Sequence, residues 1–128
     1  MIVRSGARIM TDTRSQQEQV RDRTKQFALR IIRLVRSLPR SSEAQVLGKQ
    51  LLRSGTSVGA NYRAAGRARS KAEFVSKIGV VEEADETVFW LECLIESGIV
   101  KEALLGDLLT EANELVAIFA ASQRTARG

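Results

Sequence analysis

The chain has 128 residues, a formal net charge of +5, and 44% hydrophobic residues with only 5% aromatic. That length gives one domain with room for a core, and a composition rich in Ala, Leu, Ile and Val with one proline favours helices over a β-sandwich or barrel. Histidine is absent and Cys93 is the only cysteine, which removes internal disulfides, multi-cysteine zinc sites and histidine-based nucleophile–base pairs and points away from enzymes, metals and cofactors.

The charge is unevenly divided. Residues 1–80 hold 17 Lys/Arg and 5 Asp/Glu, whereas residues 81–128 hold 3 and 10. A basic half of net +12 invites a polyanion, or pairs with the acidic half of net −7 within a bundle or across subunits. Met1–Gln17 carries Arg4, Arg8 and Arg14 and no apolar run of signal-peptide length, and no stretch is long and apolar enough for a membrane span. The expectation is a cytoplasmic protein without membrane contact. Residues 1–14 lack periodicity and read as a disordered N-terminal tail, with Met10 as an alternative start. Residues 15–124 read as a four-helix bundle domain, and residues 125–128 as a frayed C-terminal tail.

The first helix is predicted from about Ser15 to Leu38, with Val20, Phe27, Ile31, Leu34, Val35 and Leu38 in one apolar stripe and Pro39 ending it. The second starts at Ser41 or Ser42 as N-cap and carries Ala44, Leu47, Leu51, Val58, Tyr62 and Ala65 as its core stripe. Arg53-Ser54-Gly55-Thr56-Ser57 looks locally like a loop. Both the core stripe and a stripe of Gly48, Gly55, Gly59 and Gly66 stay in phase through it, so a single helix over 42–68 is preferred. The glycine spacings of 7, 4 and 7 keep all four within an arc of roughly 40°. Each costs a helix about 1 kcal/mol against alanine, so a shared face implies close approach of another backbone. That backbone belongs to a neighbouring helix of the same chain or to another subunit. A boundary position touching both is favoured, which makes the stripe a candidate oligomer interface.

The third helix opens with Ser70 and Glu73 as a capping box, continues through Phe74, Ile78, Val81, Val88 and Ile95 with Ala84, Leu91 and Leu94 alongside, and closes at Ser97-Gly98. The fourth covers about Val100 to Arg124, with Leu104, Leu108, Leu115 and Phe119 in phase and Leu109, Ala112 and Val116 flanking. Four amphipathic helices with short connections give an all-α, up-down-up-down four-helix bundle.

Lys49, Arg53, Arg63 and Arg67 fall within an arc of roughly 80° opposite the core stripe of helix two, and Arg69 and Lys71 extend the charge into the next turn. Cations spread along about 27 Å of helix can track phosphates, each contact releasing counterions. The plainer alternative is a solvated face, or one paired with Glu82, Glu83 and Glu86. No aromatic interleaves with the stripe, because Tyr62 is in core phase, so backbone contact rather than base stacking is the mode. Glu83 and Glu86 are neighbours at i,i+3, far better suited to ion pairing than to acid–base chemistry. A ferritin-like di-iron site would need Glu-x-x-His pairs, so no metal site is expected. Asp85 and Glu92 share phase with Val88, which places them at a stripe edge or against Arg30 or Arg33. Trp90, on the face of Glu83 and Glu86, is a candidate interface anchor or a partly covered surface residue. Ser54, Ser57 and Asn61 form a polar cluster that lacks a base.

The run Leu47-Gly-Lys-Gln-Leu-Leu-Arg-Ser-Gly-Thr-Ser-Val-Gly-Ala-Asn-Tyr-Arg63 resembles the signature of the 23S rRNA intervening-sequence protein family, also called four-helix bundle proteins. Ser70-Lys-Ala-Glu-Phe74 with Lys77, Glu86-Thr87 with Trp90-Leu91-Glu92, and Glu96-Ser97-Gly98 continue the resemblance, which covers roughly Phe27 to Phe119. It implies a bacterial four-helix bundle assembled as a ring-like homopentamer, with no established enzymatic activity and with RNA as a suggested partner. A distant relative, the accessory protein of diversity-generating retroelements, binds a reverse transcriptase and nucleic acid. The sequence departs at Ala64, where an acidic residue commonly stands in the family, and at Glu82, where a lysine often does. The function so implied is non-enzymatic RNA contact through Lys49, Arg53, Arg63, Arg67, Arg69 and Lys71, multiplied around the ring. The alternative is a protein-interaction scaffold with an unidentified protein partner.

Overall fold

The computed structural model describes residues 2–5, 8–11, 14–67, 70, 72 and 81–127. Two short strands, β1 (Ile2–Ser5) and β2 (Arg8–Thr11), precede four long helices. These are α1 (Gln16–Ser37), α2 (Ser42–Ala65), α3 (Val81–Glu96) and α4 (Glu102–Arg127). Where sequence reading expects a tail, β1 and β2 pair antiparallel from Ile2↔Thr11 to Ser5↔Arg8.

The helix ends follow local chemistry. The Ser15 side chain accepts from the Glu18 amide at 3.1 Å, and the Ser15 amide donates to the Glu18 carboxylate at 3.0 Å, a complete capping box. Those bonds hold the Glu18 carboxyl below its ordinary pKa. Leu38, ahead of Pro39, is extended with φ −67° and ψ 150°, as the proline ring demands of its predecessor, and α1 stops there. Ser41 caps α2, which then runs unbroken through Arg53–Ser57 to Ala65. The single-helix reading therefore holds. The capping box of Ser70 with Glu73, and Phe74 and Ile78 after it, lie outside the described residues. Gly98 has φ +80°, the left-handed conformation expected after α3.

Each helix packs on its successor, and α1 also meets α4, closing a four-membered ring around one core. Rising along α2, Gly48, Gly55, Gly59 and Gly66 face Leu38, Ile31, Thr24 and Gln17 in turn, so α1 and α2 are antiparallel. Tyr62, near the end of α2, packs its ring 5.4 Å from that of Phe119 near the end of α4, so these two helices point the same way. The result is an up-down-up-down bundle. Phe27, Ile31, Leu51, Val58, Leu91, Leu94, Leu115 and Phe119 are fully buried at its centre. In α4 the inward face is Leu105, Leu108, Ala112, Leu115 and Phe119, and Leu104 is 74% exposed. This corrects the placement of Leu104 in the core: Leu104 and Leu105 lie about equally far on either side of the line through Leu108, Ala112, Leu115 and Phe119, and the packing turns Leu105 inward. Asp85 and Glu92 are exposed, at the edge of the α3 stripe.

Candidate nucleic-acid interface

The surface of interest begins with the small residues of α2. An added Cβ at Gly55 would stand 2.9 Å from Ile31 Cγ1, and one at Gly59 3.3 Å from the Thr24 carbonyl oxygen. A methyl group would displace Ile31 at the first and crowd the α1 backbone at the second, so α1 and α2 approach closely. Gly48 and Gly55 are buried in this seam, under Leu38 and Ile31. Packing within the chain uses both, the intrachain half of the boundary position expected for the stripe. Gly59 is half-buried, and Gly66 is exposed beside Gln17.

Along the outer edge of the seam runs a groove of about 410 Å³, lined by Ala28, Thr56, Gly59 and Ala60 and flanked by Arg21, Lys25 and Arg63. The small residues form the trench, and long cationic side chains stand on both sides. Asp22 also lines it and is ion-paired with Arg14. Burial pushes the Tyr62 phenol above its ordinary pKa, and the positive charge of Arg21 pulls it partly back.

The predicted basic stripe divides. Lys49, Arg63 and Arg67 are exposed and, with Arg21 and Lys25, make no ion pair among the described residues. Arg53 instead bridges to α3, donating to Glu83 at 3.3 Å and to Glu86, and bonding Gln50 at 3.0 Å. The same Glu86 accepts from the Trp90 indole at 2.9 Å, and Trp90 meets Phe89 edge-on with centroids 4.9 Å apart. Glu83 and Glu86 thus act as an ion-pairing couple. Arg69 and Lys71 lie outside the described residues.

A second link between the halves runs from Arg23 of α1 to α4. Its guanidinium donates to Glu111 at 3.1 and 2.6 Å and to Glu114 at 2.9 Å, and these bonds hold its pKa above the usual arginine value. The acidic half therefore neutralises Arg23 and Arg53 and leaves the α1–α2 groove to its cations. Sequence reasoning missed Arg21 and Lys25. Their i,i+4 spacing on the flank of α1 next to the glycine-facing stripe was the available signal, usable once α1 and α2 are paired antiparallel.

Ser54 leaves the predicted polar cluster altogether. It is buried, and its hydroxyl bonds that of Thr87 on α3 at 2.9 Å, while Thr87 also donates to the Glu83 carbonyl at 2.8 Å. Among the described residues there is no group of three or more His, Cys, Asp or Glu side chains placed to hold a metal, and no helix long and apolar enough to cross a membrane.

Comparison with known proteins agrees with this architecture. The crystal structure of a protein of unknown function from the S23 ribosomal protein family of Bacteroides thetaiotaomicron VPI-5482 is similar, with a TM-score of 0.79 and 33% identity. The likeness covers 86% of this chain and 99% of that one. No curated protein matches the chain. A family model described as 23S rRNA-intervening sequence protein matches residues 16–121, from the first residue of α1 to past Phe119. On that span, which takes in all four helices, the chain belongs to the 23S rRNA-intervening sequence protein family.

Proposed function

We propose that the protein is a non-enzymatic, self-associating bundle of the cytoplasm that contacts the phosphate backbone of RNA at its α1–α2 face. The observation that carries this reading is the groove in which Arg63 of α2 meets Arg21 and Lys25 of α1 with no carboxylate paired to any of the three among the described residues. Arg67 and Lys49 extend the same outward side of α2, and Arg69 and Lys71 join the proposal by sequence alone. No aromatic lines the groove, which favours phosphates over stacked bases. Repetition around a ring, five-fold by family resemblance, lets weak contacts add. Phe89, 53% exposed and packed on half-buried Trp90, is the apolar surface assigned to subunit contact. The non-enzymatic part rests on the missing histidine and on the commitment of Glu83 and Glu86 to Arg53.

Light scattering at low and high salt, with and without a structured RNA, tests this. The expected result is a larger complex at low salt only. Each cation lost should flatten the slope of log affinity against log salt by about 0.7–0.9. Arg63→Glu/Arg67→Glu and Arg21→Glu/Lys25→Glu should each remove the complex while leaving the mass of the free protein unchanged. A protein indifferent to RNA at low salt would favour a second reading, an accessory or scaffold subunit, for which the exposed Phe89 beside Trp90 is the supporting feature.

A further inference from the structure

At the opposite end of the α1 surface, where its last turns meet the start of α4, lies a groove of about 770 Å³ with a different chemistry. Its floor is aliphatic, from Leu34, Leu38, Ile99, Val100, Leu105 and Leu108. Its rim is cationic, from Arg30, Arg33 and Lys101, none of which makes an ion pair among the described residues, and no acidic residue lines it. Leu104 stands on the edge with 74% of its surface in water, the most exposed large aliphatic side chain described. The first turn of α4 adds partial positive charge, and Lys101 just ahead of it has no side-chain oxygen to cap the free amides.

We propose that this groove docks an acidic amphipathic segment of a partner protein. A phosphate backbone would satisfy Arg30, Arg33 and Lys101 but leave Leu104, Ile99 and Val100 in water, whereas the α1–α2 groove has cations over a floor of alanine, glycine and threonine that suits phosphate. An uncharged apolar ligand would cover the floor and leave the cations without counter-charge. A segment with aliphatic side chains at i, i+3, i+4 and i+7 and carboxylates between them meets both demands. Charge complementarity then sets its orientation, and the aliphatic contacts supply most of its hold.

The test uses the full chain and a fluorescein-labelled probe peptide with leucines at those spacings and glutamates on the other face. A scrambled peptide of the same composition and a version with lysine for glutamate serve as comparisons. Anisotropy should show the patterned acidic peptide binding roughly tenfold or more tighter than either, and Leu104→Glu and Arg33→Glu should each weaken it by a similar factor. Both side chains are exposed, and a carboxylate in the first turn of α4 suits the helix, so circular dichroism of the variants should match that of the parent. Equal binding of the scrambled peptide, or variants that bind like the parent, would overturn the proposal. So would a fall in the mass of the free protein on Leu104→Glu, which would show the groove covered by a second copy of the chain.

Discussion

Gly55 and Gly66 share one face of α2 but differ in what a methyl group there would meet. At Gly55 the neighbours are Ile31 Cγ1 and Cγ2, at 2.9 and 3.0 Å, on a fully buried β-branched side chain with little room to turn. Gly55→Ala gains about 1 kcal/mol of helix propensity and incurs about 1–3 kcal/mol of overpacking, so it should lower stability in a urea titration. At Gly66 the nearest atom is Gln17 Nε2 at 2.5 Å, the far end of a flexible side chain, and the backbone lies at φ −65° and ψ −15°. Alanine accepts that conformation, so Gly66→Ala should be neutral or stabilising by up to about 1 kcal/mol. Tyr62 offers a second residue-level test, because it is the only tyrosine. Its phenol is raised from the ordinary 10.0 by burial, so the neutral form is favoured in the folded state. The stability this contributes is complete below the unfolded pKa and is lost as pH rises through the folded one. Phenolate absorbance should therefore rise above pH 10.0 in native protein and return to the ordinary midpoint in denaturant, and Arg21→Gln should raise the native midpoint further.

Between elements, the hydroxyls of Ser54 and Thr87 are the polar tie inside the α2–α3 contact. Thr87→Val removes that bond and leaves Ser54 only the Leu51 carbonyl at 3.4 Å, at a cost of about 1 kcal/mol. Ser54→Ala should cost a similar amount, and the double variant less than the two together by about 1 kcal/mol, measured as a double-mutant cycle. Neither residue was legible as core from sequence, because a serine or threonine in an apolar stripe reads as a cluster or an edge until its partner is known. The helices themselves were legible. The first helix's start near Ser15, the cap at Ser41 or Ser42, Pro39, Gly98 and the unbroken phase of two stripes through Arg53–Ser57 place the described ends of α1 and α2, the end of α3 and the continuity of α2 within a few residues. The error at Leu104 has the same origin as the missed Ser54. Leu104 and Leu105 both fit a helical period, and only the packing of α1 against α4 selects which one turns inward.

For the molecule as a whole, the helical bundle and the paired N-terminal strands can be probed apart. β1 and β2 pair with each other, whereas the helices pack in a closed ring. Deletion of residues 1–13 keeps the Ser15 cap and should move the thermal midpoint by less than about 4 °C, read by circular dichroism at a fixed protein concentration. A larger fall would mean that the paired strands brace the bundle. The distribution of charge is also a property of this scale. The sequence alone showed a basic half and an acidic half but not which charges meet, since ion pairs between residues 30 to 91 positions apart depend on how helices are placed. Periodicity, caps and glycine spacing determine an all-α four-helix bundle by themselves, because those signals act within one or two turns of a helix. Only the tertiary structure decided that Arg53 and Arg23 are held by carboxylates and that Arg63 shares a groove with Arg21 and Lys25. The reason is physical: a side chain's phase says which way it points, and its partner is set by the neighbouring helix that the core brings alongside.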